Sequence, residues 1–495
     1  MAASQINMLE GSLTKPLFQF AIPVALIGIL QQMFNTADIM VLGRFVGKEA
    51  LAAVGNNAPV IGVMVNLFLG ISLGANVLIA RRLGGRRLKE ASQAIHTTVL
   101  MALLTGLFIL VVGEILAGPL MVWMGVPEEV RAASEFYLRI YLLGMPGMTL
   151  YDFLSAVYRS HGNVRTPLLS LITASLVNIA GNFLAVFLGF GLAGVVVATA
   201  VSNYVSSGLL LRMLRYGHGV LHFYPGAIRL RLDDIREILR VGVPAGIQGM
   251  VFNLSNMVIQ SAINSEGALA MAASAAAYVL EINTYPFIIA FGQAITTFTS
   301  QNFGAGNLKR CRKVLGRGLT LNFLFTCVLI GLVFLVARPF LEIFGLEQEA
   351  VDLGVMRIHL IIGFYFLSTI YESLSASMRG FGNSLTPALA MLVSIVGTRL
   401  LWLATVYAAN PTYRNIMYCY PLSWLAADVL IGALFWRDWK RGKLGGTGIG
   451  QSEECRAGWQ RPEEPLLIRK GSRPGRLLNR PQWTARPKKS APGGA

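Results

Sequence analysis

The sequence predicts an all-α integral membrane protein, with twelve transmembrane helices in two parallel-repeat six-helix bundles. Three observations carry this expectation. First, the 495 residues are 54% hydrophobic and only 14% charged, against about 25% charged in a soluble globular chain. Second, twelve segments are long and apolar enough to cross a bilayer, which takes about 20 mostly apolar residues. Third, a gapless internal repeat divides the chain in two. The same composition excludes a disordered chain, a disulfide scaffold and a soluble nucleic-acid binder, so nucleic acid is not an expected partner.

The expected spans are 17–43, 51–80, 93–117, 134–158, 167–189, 191–214, 237–263, 268–303, 314–337, 351–378, 385–408 and 414–436. Membrane helices tolerate the Gly and Pro found inside several of them. The first run is long enough to remain as a span rather than a cleaved leader. Of the net charge of +17, residues 437–495 contribute +9. The remainder sits largely in loops and reports topology. Arg81, Arg82, Arg86, Arg87 and Lys89 follow span 2. Arg215, Arg229, Arg231 and Arg236 follow span 6, and Lys309, Arg310, Arg312 and Lys313 follow span 8. Arg437, Lys440, Arg441 and Lys443 follow span 12. The positive-inside rule places these even-numbered loops and both termini in the cytoplasm.

The repeat is the strongest internal signal. Tyr151–Pro167 and Tyr371–Pro387 agree at nine of 17 positions with an offset of 220. The same offset pairs Gly47 with Gly267, Ala50 with Ala270, and Gly84 with Gly304, while Pro23 pairs with Pro244 at 221. Six spans per half is an even number, so both halves enter the membrane in the same sense. They are related by an axis along the membrane normal, the build of transporters that work by rocking two lobes. The expected units are an N-terminal lobe 1–214, a cytoplasmic connector 215–236, a C-terminal lobe 237–436 and a basic, disordered cytoplasmic tail 437–495.

Polar residues within the spans argue against a passive scaffold. Gln31, Asn35 and Asp38 share one face of span 1 at i, i+4, i+7. An ionisable group near a span centre costs about 2.5–3.5 kcal/mol on insertion scales, so Asp38 must face water, find a partner or carry a proton. Span 5 adds Asn178 and Asn182, and span 6 adds Thr199, Asn203 and Ser206. Their oxygens suit a small hard cation such as Na⁺, or a proton-binding carboxyl. For Asn203 and Ser206 the reading is interhelical hydrogen bonding. Span 7, the repeat equivalent of span 1, carries Asn253, Asn256 and Gln260 but no acid, so ion coupling is expected in the first lobe.

Other intramembrane acids are Glu114, Asp152, Glu281, Glu372 and Asp428. Asp152 and Glu372 are repeat equivalents, either partners of Arg159 and Arg379 or substrate groups. Glu281 is a candidate for the central cavity, where it would attract cations. Met33, Phe34, Phe252 and Met257 are candidates for lining a pocket for flat apolar cations, with packing as the competing reading. Pro23 and Gly28 weaken span 1 and mark the expected hinge. Cys311, Cys327, Cys419 and Cys455 have no metal or redox spacing and read as unpaired thiols. There is no P-loop, HExxH, GxSxG or Cys/His cluster, so neither ATP, an enzymatic centre nor a cofactor is expected.

The two six-span halves, the run Ile22-Pro23…Gln31…Asn35…Asp38-Ile-Met-Val-Leu-Gly43, the Leu51-Ala-Ala run and the turn Arg159…Gly162-Asn163…Thr166-Pro167 resemble the multidrug and toxic compound extrusion (MATE) family over about residues 8–436. The resemblance is to the bacterial branch whose coupling acid lies in span 1. It implies a V-shaped pair of bundles, and efflux of organic, often cationic, drugs in exchange for H⁺ or Na⁺. Asp38 matches the family's span-1 acid, Gln31 its polar partner, Asn178 its span-5 Asn and Thr199 its span-6 Thr. The branch usually has an Asp four residues after that Asn, and Asn182 stands there instead. The long basic stretch 444–495 also departs from the family, and its charges suit an anionic inner leaflet. The expected product is a monomeric, multi-pass cell-membrane antiporter in contact with lipid. A lipid-linked oligosaccharide flippase shares the architecture and is the alternative, but such a protein would want several cationic residues in its cavity, and here Arg399 is an isolated one.

Overall fold

The computed structural model describes residues 5–217, 219–227, 229–442 and 444. Lys443, Cys455 and the tail from 445 onward lie outside them. The elements are helical throughout the described residues. In the first half they are α1 (Thr14–Val41, continued by a π-helical turn Leu42–Val46), α2 (Lys48–Gly84), α3 (Leu88–Trp123), α4 (Glu128–Leu143), α5 (Met145–Ser160), α6 (Arg165–Phe187) and α7 (Gly191–Arg215). The second half comprises α8 (Leu232–Ser265), α9 (Ala268–Gly304), α10 (Leu308–Glu342), α11 (Gln348–Ile361), α12 (Tyr365–Gly380), α13 (Leu385–Met391), α14 (Thr398–Trp402) and α15 (Tyr413–Lys440).

These elements form ten stretches long and apolar enough to span a membrane, with α11 and α12 counted as one and α13 through Tyr407 as another, or eleven when α4 and α5 also count as one. The remaining expected span is α8, a 34-residue helix whose apolar run is diluted by Gln248, Asn253, Asn256 and Gln260. The segment expected as a continuous span at 134–158 is a pair bent by 44°. The break lies at Gly144, where a β-carbon would sit 2.9 Å from the Ala200 backbone, and Pro146 follows in the first turn of α5. The span expected at 385–408 runs through two π-helical turns, Leu392–Gly397 and Leu403–Tyr407. Cys311, Cys327 and Cys419 are free thiols.

The repeat is visible in how the halves meet. Gly47 and Gly267 both take positive φ, 126° and 95°, at the turn before α2 and α9. Helix α1 packs on α9, and its repeat equivalent α8 packs on α2. On the axis itself the contacts are reciprocal. A β-carbon at Gly84 would lie 1.9 Å from the Gln301 carbonyl oxygen, and one at Gly304 would lie 1.9 Å from the Arg81 carbonyl oxygen. Residues 81 and 301 share the same offset of 220. The α2–α8 seam is equally tight: a β-carbon at Gly70 would meet the Gly246 nitrogen at 2.1 Å. Only glycine admits such backbone approach.

The seam is closed at the end that carries the basic loops and the N-terminal segment. Arg81 pairs with Glu237 at 2.7 Å, and Gln301 Nε2 donates to the Ser160 carbonyl at 2.7 Å. The segment before α1 touches both halves. The Ile6 N–H donates to the Gly162 carbonyl at 3.3 Å, while Asn302 Nδ2 donates to the Met8 carbonyl at 3.1 Å. The connector is fastened to α3, with the Tyr224 N–H donating to His96 Nε2 at 3.0 Å and Thr97 Oγ1 donating to the Arg229 carbonyl at 3.1 Å.

If the axial glycines hold the halves together, Gly84→Ala and Gly304→Ala will each lower stability by about 1–3 kcal/mol, the usual range for overpacking. A thermal melt of the detergent-purified protein measures this, and unchanged midpoints for both variants would refute it.

Candidate functional site

Asp38 lies in the last turns of α1 and is 7% exposed. Asn178 and Asn182 stand four residues apart on α6, so both amides leave one helix face. Small residues bring α7 close enough to complete the set: a β-carbon on Gly181 would come within 2.8 Å of Ala198 Cβ, one residue before Thr199. Asn182 Nδ2 donates to Asp38 Oδ1 at 2.6 Å. Thr199 Oγ1 donates to Asp38 Oδ2 at 2.6 Å and accepts from Asn178 Nδ2 at 3.1 Å. Asn182 Nδ2 also lies 3.4 Å from Asn178 Oδ1. Both carboxylate oxygens therefore have a partner, yet every partner is neutral. Asn182 Oδ1 is buried with no hydrogen-bond partner, which leaves one oxygen of the cage unused.

Four of the six expected ion-coupling residues thus come together. Gln31 is half-buried and Asn35 is exposed, and neither joins this hydrogen-bonded set. Pro23 lies inside α1, which stays helical through it and through Gly28. Gly28 is a packing residue of the seam, since its β-carbon would lie 3.1 Å from Pro286 Cβ on α9. The early part of α1 is embedded in the second half: Phe18 stacks edge-on against Phe291 at 5.5 Å and Phe20 against Phe298 at 5.8 Å. One helix therefore packs on the second half at its start and holds the first half's carboxylate near its end.

The expected cavity residues divide. Met33 and Met257 are exposed, while Phe34 packs against the first half's core and Phe252 against the second half's. Asn253 faces α2, with its Nδ2 3.5 Å from a β-carbon placed on Gly62. Asn256 Oδ1 accepts from Arg399 Nη1 at 2.9 Å, and Gln260 Nε2 donates to Asn264 Oδ1 at 2.9 Å within α8. Glu281 is buried and engages Arg357 through both oxygens, at 2.6 and 3.0 Å.

The repeat-equivalent acids differ. Glu372 is paired with Arg379 seven residues on. Asp152, shorter by one methylene, is buried with Oδ2 unpartnered. Glu114 pairs with Arg139 of α4 at 2.9 Å. Sequence reasoning missed Arg357 as the partner of Glu281 and treated Arg399 only in passing. A lone arginine inside an apolar window was the available signal for both.

Known proteins match the chain in sequence and in fold. The MatE family model matches residues 23–184 and 244–402, one stretch in each half. The probable multidrug resistance protein YoeA of Bacillus subtilis is 27% identical over 436 residues, covering 86% of this chain and 94% of that protein. The probable multidrug resistance protein NorM of Thermotoga maritima is 27% identical over 393 residues, covering 78% and 84%. The fold is similar to a solved outward-facing conformation of a multidrug resistance MATE family transporter of the MOP superfamily. The TM-score is 0.82 at 20% identity, over 89% of this chain and 99% of that one. With both halves matched, the chain belongs to the MatE family, a family of membrane transporters rather than enzymes.

Proposed function

We propose that this protein is a secondary active multidrug efflux antiporter that exports organic compounds, many of them cationic, in exchange for H⁺ or Na⁺. In this reading it is a monomer in the cell membrane with both termini in the cytoplasm. The observation that carries the reading is the Asp38 cage: one buried carboxylate held by the neutral groups of Asn182 and Thr199. A carboxylate already matched by an arginine has no need of a cation. One surrounded by neutral dipoles retains its charge for a monovalent partner, and the unused Asn182 Oδ1 is a further oxygen for it. A bound Na⁺ would sit among the oxygens of Asp38, Asn178, Asn182 and Thr199. A proton would instead convert Asp38 into a donor and reverse its bond with the Asn182 amide.

Coupling follows from where α1 is anchored. Binding at Asp38 alters the contacts of α1 with α6 and α7, and the same rigid helix packs on α9 through Phe18, Phe20 and Gly28. A change at one end therefore bears on the seam at the other. With the basic end in the cytoplasm, the closed seam there makes the described state outward-facing. Homology supports the cargo class, since the two relatives named above are described as probable multidrug resistance proteins.

The test is flux into proteoliposomes of a fluorescent cationic dye under an imposed pH or Na⁺ gradient. Wild-type protein is expected to respond to one of the two gradients, and Asp38→Asn to lose at least about tenfold of that gradient-driven rate, or 1.4 kcal/mol of coupling. Thr199→Val should weaken the response and Thr199→Ser restore it. Full gradient-driven flux in Asp38→Asn defeats the proposal, as does gradient-independent lipid scrambling in place of dye transport.

Topology is tested separately in a chain whose own cysteines are replaced by alanine. A membrane-impermeant maleimide should label Glu128→Cys, exposed at the start of α4, in intact cells. It should reach Lys89→Cys, exposed after α2, only after permeabilisation. The reverse pattern would invert the protein in the membrane.

A further inference from the structure

The second half buries three arginines, Arg357, Arg379 and Arg399. Arg357 is matched by Glu281 and Arg379 by Glu372. Arg399 is 1% exposed and has no acidic partner among the described residues. Its guanidinium lies between two ring faces, 4.9 Å from the Phe252 centroid and 4.7 Å from that of Tyr420. Nε donates to Ser423 Oγ at 3.2 Å, and Nη1 to Asn256 Oδ1 at 2.9 Å and weakly to Ser255 Oγ at 3.5 Å. Nη2, with two hydrogens, has no hydrogen-bond partner.

The surroundings resemble those of Asp38 with the sign reversed: a full charge inside the bundle, solvated only by neutral dipoles and ring faces. Leaving a guanidinium buried and unpaired is strongly unfavourable, and its planar fork fits a carboxylate or phosphate through two parallel bonds. Its backbone is also unusual. Arg399 sits on α14, a five-residue segment between two π-helical turns, a distortion that recurs at functional sites. On α8, Phe252 and Asn256, which cover the guanidinium, are half-buried, and their neighbour Asn253 faces α2 across the seam.

We propose that Arg399 is the anchor for an anionic group, a carboxylate or phosphate, on the transported compound, with Nη2 as its open donor and Asn256 as the residue displaced or shared on entry. The cargo class then extends from cations to zwitterions and organic anions that carry a flat apolar body. This rests on the efflux reading but not on the ion at Asp38, because the two sites lie in different halves.

Two dyes with the same xanthylium cation make the test: rhodamine 6G, an ethyl ester, and its free acid rhodamine 19, a zwitterion at neutral pH. Binding is read by fluorescence anisotropy with the full chain in a neutral detergent. Wild type should bind the free acid about tenfold more tightly than the ester, the scale of one charge-assisted contact. Arg399→Gln should remove that preference, and Arg399→Lys should keep part of it. If Arg399→Gln does not purify as a single species, the wild-type ratio and the Arg399→Lys ratio carry the test. Equal affinities in wild type, or a preference that survives Arg399→Gln, overturns the anion site while leaving the efflux reading intact. Failure to bind either dye overturns both. Titration with phosphatidylglycerol against phosphatidylcholine separates the sources of the anion. Selective loss of free-acid binding with phosphatidylglycerol would assign Arg399 to a lipid headgroup and overturn its assignment to cargo.

Discussion

A single carboxylate in a neutral cage is the constraint on which the rest of this molecule turns. Asp38 is buried, and its two oxygens take hydrogen bonds from Asn182 and Thr199. Neutral donors satisfy its hydrogen bonds without supplying an opposite charge. An arginine in their place would match it with an opposite charge. The Glu281–Arg357 pair shows that alternative in the same chain, bidentate and charge-neutral. Among the described residues the first half thus holds a buried carboxylate with neutral partners, Asp38, and the second a buried guanidinium with neutral partners, Arg399. That difference is chemical, since the two halves share their helical plan.

The shared plan explains why α1 can connect the two. It crosses from one half to the other, with aromatic packing on α9 at its start and the carboxylate on α6 and α7 near its end. The pattern is repeated by α8 on α2, where Gly249 takes the place of Gly28: its β-carbon would lie 2.7 Å from Asn66 Oδ1, and Asn66 is the repeat equivalent of Pro286. The seam is built from backbone lying on backbone at Gly70, Gly84 and Gly304, with the side chains of Asn66 and Pro286 against Gly249 and Gly28.

Much of this was legible before any coordinates. Hydropathy located the spans because lipid demands apolar length. The offset of 220 located the two halves, and the polar stripes at helical spacing located Asp38, Asn178, Asn182 and Thr199. Gln31 and Asn35, on the same stripe, stand outside the hydrogen-bonded set. Residues on one helix share a face without converging on one point, and the donors to Asp38 come from α6 and α7 instead. The α4–α5 bend was hidden because apolar periodicity is indifferent to helix direction; the close fit of Gly144 against Ala200 sets it. Arg357 and Arg399 were hidden because their partners are 76 and 143 residues away, and no local pattern reports pairings at that range.

The reciprocal contact of Gly84 with Gln301 and Gly304 with Arg81 has the character of a homodimer interface. Each half meets the other with the patch that the other presents in return, as subunits do across a two-fold axis. A fused protein with such a face carries a self-complementary surface on each half. Misassembly between neighbouring chains, half of one clasping half of another, would use the same contacts as correct folding. The covalent connector favours the correct partner by proximity alone, raising the local concentration of the second half around the first.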